Sequence, residues 1–283
     1  MSASVLVRVP ASTANLGPGF DCMGIALRIY NSVRVTKSRT GNASPMALEA
    51  AKAFFKTSKV RPFSFSWEIT GDVPQSRGLG SSVTLRLGIL HGLNALSGGS
   101  LDREALYRLC SELEGHPDNA APAAYGGFTT SRKDFTFLRA AVSEKLSFIL
   151  LIPPFEISTP AARKILPKTV TFKEAVANTG NAAFIAAAFF SGQYKLLHEA
   201  FEDHLHQPYR KKLLPSLDKI IAAGTKAGAL GGWLSGSGST VACLATANAR
   251  KIATAMQHAS KIPDTCVLIV KADNGGTKIM KGA

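Results

Sequence analysis

The chain has 283 residues, enough for one large core or two moderate ones, and its length alone suggests about two domains. Hydrophobic residues make up 46% and charged residues 18%, and no apolar run approaches the roughly 20 residues a membrane span requires, so a soluble globular protein with no membrane partner is expected. The net charge of +14 permits a nucleic-acid or small-anion partner, but the 33 basic residues are scattered and the densest cluster, Arg210-Lys211-Lys212, has no interleaved aromatics, which argues for attraction to nucleotides and against a nucleic-acid function.

The first residues show no basic stretch followed by an apolar one, so a cytoplasmic location is expected. Residues 4–9 read as a strand. Pro10 to Asp21 is loop chemistry, with two prolines, two glycines, Asn15 and Asp21. Asn15 and Asp21 are either substrate contacts or turn residues bonded to their own backbone. Residues 24–37 read as strand, turn and strand, and 45–58 as a helix. The alternation of Phe63, Phe65, Trp67 and Ile69 predicts a half-buried strand. It leads into Gly71-Asp-Val-Pro-Gln-Ser-Arg-Gly-Leu-Gly-Ser-Ser-Val83 and then a helical pattern ending at Ser97-Gly98-Gly99.

That loop, with Gly78 and Gly80 ahead of a helix start, reads as a phosphate cradle or as an ordinary glycine loop with a serine N-cap. It is neither a Walker A loop, since no lysine follows the glycines, nor a dinucleotide fingerprint. A helix over 102–113 leads to Glu114-Gly-His116-Pro-Asp118-Asn119. A carboxylate there suits Mg²⁺ on nucleotide phosphates; the alternative is a helix end with solvated side chains.

The second half opens with an apolar strand at 148–152 and continues with helices near 173–191, 194–204 and 215–227. A glycine-rich turn, Leu234-Ser-Gly236-Ser-Gly238, separates two strands, and a helix at 247–258 and a strand at 265–271 complete a ferredoxin-like order. Cys22, Cys110, Cys243 and Cys266 form no CxxC pair and read as reduced thiols. His204 and His206 lack the partners of a zinc site.

Three blocks together, Pro10–Asp21, Arg77–Ser82 and Leu234–Gly238, resemble the GHMP small-molecule kinases. Glu114–Asn119, Ser158–Arg163 and His206–Arg210 make the chain similar to the homoserine kinases within that superfamily, over nearly its whole length. The resemblance implies an α+β, two-domain architecture. Residues 1–145 would form a domain like the second domain of ribosomal protein S5, and 146–283 a ferredoxin-like domain.

It also implies ATP and Mg²⁺ as cofactors and phosphorylation of the L-homoserine hydroxyl, with a homodimer as the assembly to expect. Pro74, Arg77, Gly78, Leu79, Gly80, Ser81, Ser82 and Gly236 would surround the nucleotide phosphates, and Ser82 and Glu114 would hold the metal. Asn15, Asp21, His116, Asn119, Arg163 and Arg210 would hold the amino acid, and Asp21, Thr159 and Arg163 form the implied catalytic set, Asp21 orienting rather than abstracting a proton. A kinase for another small hydroxy acid such as L-threonine, or a silent nucleotide-binding protein of the same fold, are the alternatives. Three residues depart from the pattern. Trp233 either narrows the pocket or packs between domains, Ser239 stands where proline is expected, and Arg86 either sits near phosphate or faces solvent, the second reading being preferred.

Overall fold

The computed structural model describes residues 3–38, 40–42 and 44–280; the first two residues of the expected first domain and the last three of the expected second fall outside that range. In chain order the first half holds β1 (Ser4–Ala14), β2 (Met23–Lys37), α1 (Pro45–Ser58), β3 (Phe65–Gly71), α2 (Ser81–Leu96), α3 (Arg103–Glu114), α4 (Ala120–Tyr125), β4 (Phe128–Ser131) and β5 (Phe137–Ala140). The second holds β6 (Ser147–Ile152), α5 (Thr159–Lys164), α6 (Phe172–Ser191), a 3₁₀ turn at Tyr194–Leu197, α7 (Gln207–Arg210), α8 (Leu217–Lys226), β7 (Gly231–Leu234), β8 (Val241–Ala245), α9 (Ala249–Ser260), β9 (Cys266–Val270) and β10 (Lys278–Met280).

The first sheet runs β10-β1-β2-β4-β5, with β3 also paired to β2. The second runs β7-β8-β6-β9, antiparallel throughout, the ferredoxin-like order. Together they are the α+β architecture expected. We propose the domain boundary between residues 145 and 146, immediately ahead of β6. The final strand nevertheless crosses back, with Leu6 opposite Met280 and Arg8 opposite Lys278.

Four local expectations change. β1 runs on to Ala14, because the register with β2 shifts at Pro10/Ala11 and a bulge accommodates a residue with no N–H to give. β2 is one unbroken strand instead of strand, turn and strand. Asn31, near its middle, donates to Thr84 Oγ1 at 2.9 Å and accepts from the Val73 N–H at 3.3 Å, so its amide is satisfied inside the fold. The short strands β4 and β5 were not anticipated. The helix expected over 194–204 shrinks to its first turn, because Asp203 takes the backbone N–H groups of Leu205, His206 and Gln207 and starts α7 instead.

An apolar core joins the two sheets: Met23, Ile25 and Phe128 from the first meet Phe148, Leu150 and Leu244 from the second. Trp233 lies in it, fully buried, stacked on Phe201 with ring centroids 5.0 Å apart and donating its indole N–H to Thr13 Oγ1 at 2.9 Å. The indole therefore packs between the halves and does not narrow the pocket; truncation to alanine would cost about 3–5 kcal/mol. Ser239, also buried, donates to the Phe155 carbonyl at 2.7 Å. Separate cores lie between the first sheet and α1–α4 and between the second sheet and α8–α9. Among the described residues no helix is long and apolar enough to cross a membrane.

Candidate active site

A cavity of about 520 Å³ opens where the halves meet. Its walls come from the Asn15–Asp21 loop, β3, the start of α2, the 114–119 turn, α5, Arg210 and the 236–237 turn. The site residues expected from sequence fall into two groups at this cavity.

The first group surrounds the start of α2. Gly80 is the N-cap, in the left-handed region at φ 71°, and has no side chain with which to cap the helix. Ser81 and Ser82 are the first helical residues, so the serine N-cap reading does not hold. The first turn carries no acidic residue, leaving its N–H groups and the positive end of the dipole for an anion. Gly78, at φ 73°, has its Cα where a Cβ would run into the Ser235 carbonyl oxygen. The two glycine turns are thus packed together: Ser235 Oγ donates to the Gly78 carbonyl at 2.6 Å, and the Thr240 N–H to the Arg77 carbonyl at 3.2 Å. Gly236 lies against Gly78 on the cavity side.

Ser82 Oγ donates to Glu114 Oε2 at 2.9 Å. Arg86, one turn further along the same face of α2, bonds Glu114 Oε1 at 2.6 Å and reaches Glu49 Oε2 at 3.2 Å. Its side chain is only 11% exposed, so it does not face solvent as expected. Burial disfavours its charge, but the Glu114 carboxylate outweighs that and raises its pKa. Ser82 and Glu114 line the cavity. A hydroxyl and a carboxylate side by side at a helix start are hard oxygen donors. They fit Mg²⁺, which takes one or two carboxylates and completes its shell with phosphate oxygens and water.

The second group surrounds Phe20. Arg163 holds Asp21 through two parallel hydrogen bonds, NH1 to Oδ2 at 3.0 Å and NH2 to Oδ1 at 2.7 Å, and its pKa is raised first by that hydrogen bonding. Both Arg163 and Arg210 sit over the Phe20 ring, 5.6 and 5.0 Å from its centroid, and His206 stacks on the same ring. Arg210 is 2% exposed and has no carboxylate partner among the described residues. It donates to the carbonyls of Ala162 and Gly236 at 3.2 and 2.9 Å. Burial pushes its pKa down to about 10, with the neighbouring charge of Arg163 adding.

Asn15, with φ 72°, donates to the Gly236 carbonyl and accepts the Asp21 N–H; Asp21 itself is at φ 57°. These strained positions, over-determined by cross-domain bonds, suit a binding loop. His116 pairs with Asp118 at 2.5 Å. Burial opposes its charge, but Asp118 and Asp21 outweigh this and raise its pKa. Asp21, His116 and Asp118 bring ligand atoms within 4.8 Å of one another, but Asp21 already answers Arg163 and Asp118 answers His116.

Asn119 accepts from Ser12 Oγ at 2.9 Å, and Asn119 and Thr159 both reach the cavity wall. Three expected phosphate contacts do not line the cavity. Leu79 is fully buried in the shared core, and Pro74 is half-buried beside the loop. Arg77 turns to the carbonyls of Pro153 and Pro154 and to Glu156, tying the loop to the second half. Sequence reasoning gave no role to Phe20, named Asp118 only within the Glu114–Asn119 turn, and preferred solvent for Arg86. The four-residue step from Ser82 to Arg86 was the one available signal.

A two-sheet fold with a glycine loop feeding a helix start, closed by a second glycine turn, defines the class of small-molecule kinase: residues 45–127 match the GHMP kinases N terminal domain and 185–261 the GHMP kinases C terminal domain. A homoserine kinase of Caldicellulosiruptor bescii is 38% identical over 97% of this chain and 96% of its own. The crystal structure of homoserine kinase from Cytophaga hutchinsonii superposes with a TM-score of 0.89 at 28% identity, covering 98% of this chain and 97% of that one. The mevalonate kinase of Methanococcus jannaschii, at 15% identity and a TM-score of 0.71 over 98% of this chain and 99% of that one, shares the fold. The chain belongs to the homoserine kinase family.

Proposed function

We propose that the protein transfers the γ-phosphoryl group of ATP to the side-chain hydroxyl of L-homoserine. The observation that carries this reading is the charge layout of one cavity: a helix N-terminus with no side-chain cap at one end, and Asp21 beside Arg163 and the carboxylate-free Arg210 at the other. The first end suits phosphates. The second suits an α-amino acid, whose ammonium meets Asp21 and whose carboxylate meets the planar forks of Arg163 and Arg210.

Phosphoryl transfer needs positioning and charge neutralisation more than covalent help. The α2 N–H groups and the 78–82 loop hold the phosphates. Ser82 and Glu114 would hold Mg²⁺, which supplies neutralising charge to the phosphates when bound. Asp21, Arg163 and Arg210 fix the amino-acid end, so the hydroxyl is aimed along the line of attack. The new bond forms from that oxygen to the γ-phosphorus, the bond to ADP breaks, and the hydroxyl proton leaves to water. Asp21, committed to Arg163 and the ammonium, orients substrate and does not abstract the proton. His116 and Asn119 complete the wall beside Asp21, with Thr159 at the start of α5.

ADP release from Mg-ATP with L-homoserine, L-threonine, mevalonate or no acceptor tests the reading. Homoserine-dependent release well above the others is expected, and preference for another acceptor would reassign Arg163 and Arg210. A homodimer and a cytoplasmic location complete the proposal, to be tested by the solution mass and by fractionation.

A further inference from the structure

We propose that Arg86 confines Glu114 to one-oxygen ligation and so makes the metal site selective for Mg²⁺ over the larger Ca²⁺. The inference rests on the reading of Ser82 and Glu114 as metal ligands.

The two oxygens of Glu114 have different surroundings. Oε2 lies beside Ser82 Oγ, and Oε1 is taken by Arg86 at 2.6 Å. Ser82 and Glu114 line the cavity, whereas Arg86 stands outside its wall. Arg86 is itself held from a second side by Glu49 on α1, and its Nε is buried without a partner. A guanidinium does not lose its proton under ordinary conditions, so the charge that holds Oε1 persists at every working pH. A carboxylate clamped this way cannot turn both oxygens to one ion. Ca²⁺ commonly takes carboxylates bidentately within a shell of six to eight ligands, whereas Mg²⁺ takes single oxygens in a tight octahedron and retains water. Arg86 is therefore a positioning residue that acts through Glu114.

The test uses no turnover. Mn²⁺ bound with a non-hydrolysable ATP analogue is followed by electron paramagnetic resonance, and Mg²⁺ or Ca²⁺ is titrated in, with the analogue alone as reference. The ratio of the two displacement constants removes any change in nucleotide affinity. In the wild type the ratio should favour Mg²⁺. In Arg86→Met and Arg86→Gln it should move towards Ca²⁺ by about tenfold, the scale on which losing a partner alters a metal ligand. An unchanged ratio in either folded variant overturns the proposal. Glu114→Gln separates the two readings. If it leaves Mn²⁺ binding untouched, Glu114 is no ligand and both readings fall. If it weakens Mn²⁺ while the Arg86 variants keep the wild-type ratio, only the role of Arg86 falls.

Discussion

Asp21 and Arg163, 142 residues apart in the chain, meet through two parallel hydrogen bonds on the wall of one cavity. Their side chains are 33% and 37% exposed, so the pair contributes no more than about 1 kcal/mol to stability. On the proposed function its importance is positional: opposite charges side by side suit the ammonium and carboxylate of one substrate. Asp21→Asn should therefore lower Tm by no more than about 4 °C, yet cut kcat/KM for homoserine by about 100-fold. Calorimetry and steady-state kinetics check this. A large fall in Tm with unchanged kinetics would make the pair a structural latch.

Arg210 should separate binding from folding. The Gly236 carbonyl that it bonds also accepts from Asn15, so Arg210→Met leaves that oxygen satisfied. The apparent KM for homoserine should rise by about 30-fold or more, the lower end of the cost of truncating a buried charge partner. Arg210→Lys should recover little, because a point charge does not reproduce the fork. An unchanged KM in the methionine variant would remove Arg210 from carboxylate binding.

Gly78→Ala tests the contact between the glycine turns. The left-handed φ of 73° and the approach of the Ser235 carbonyl both oppose a Cβ. The substitution should cost about 2 kcal/mol or more and weaken ATP binding together with stability. Gly98→Ala, also left-handed at φ 84° but with nothing near its Cβ, is the control, and should cost only the backbone strain of about 1 kcal/mol. Denaturant unfolding and nucleotide titration distinguish the two. Equal losses would mean that the turns do not constrain each other.

His91 should set part of the acid limit. It is buried on α2, its Nε2 has no partner, and burial, with Arg103 nearby, pushes its pKa down to about 4 from 6.5. Between those values the unfolded chain takes up a proton that the folded chain refuses. Stability is therefore full above pH 6.5 and is lost as pH falls towards 4, at up to about 1.4 kcal/mol per pH unit. His91→Leu should flatten that acid limb in urea unfolding across pH 4–7 and leave turnover intact, since His91 does not line the cavity. An acid limb as steep as the wild type's would assign the loss to other groups.

How much of this was legible depended on whether a residue's role is local. Gly78, Gly80 and Gly236 could be read because their backbone conformations are demanded by the turns they make. Helix α1 fell where its composition put it, with Pro45 at the first turn. Asp21 and Arg163 each stood out in the sequence as charged candidates for binding, but no local pattern announces that they pair. Arg86 was misread because Glu114 reaches it from another helix, and only that approach makes burial of a guanidinium tolerable. The turn expected within β2 failed for a related reason: Asn31, a residue type common in turns, has its amide satisfied by Thr84 and the Val73 N–H, both from outside β2. Strands β4 and β5, four residues each, are too short to show a period.

The return of β10 to the edge of β1 makes severing the protein between its halves a poor way to isolate either. A fragment starting at residue 146 would carry a strand whose docking edge had been left behind, and a fragment ending at 145 would expose that edge to other chains. Circular permutation suits the topology better. Because β1 and β10 run antiparallel side by side, the start of β1 and the end of β10 are neighbours that a short tether could join. New ends could then be opened at the exposed Gly98-Gly99 turn, far along the chain from the cavity-lining residues of α2.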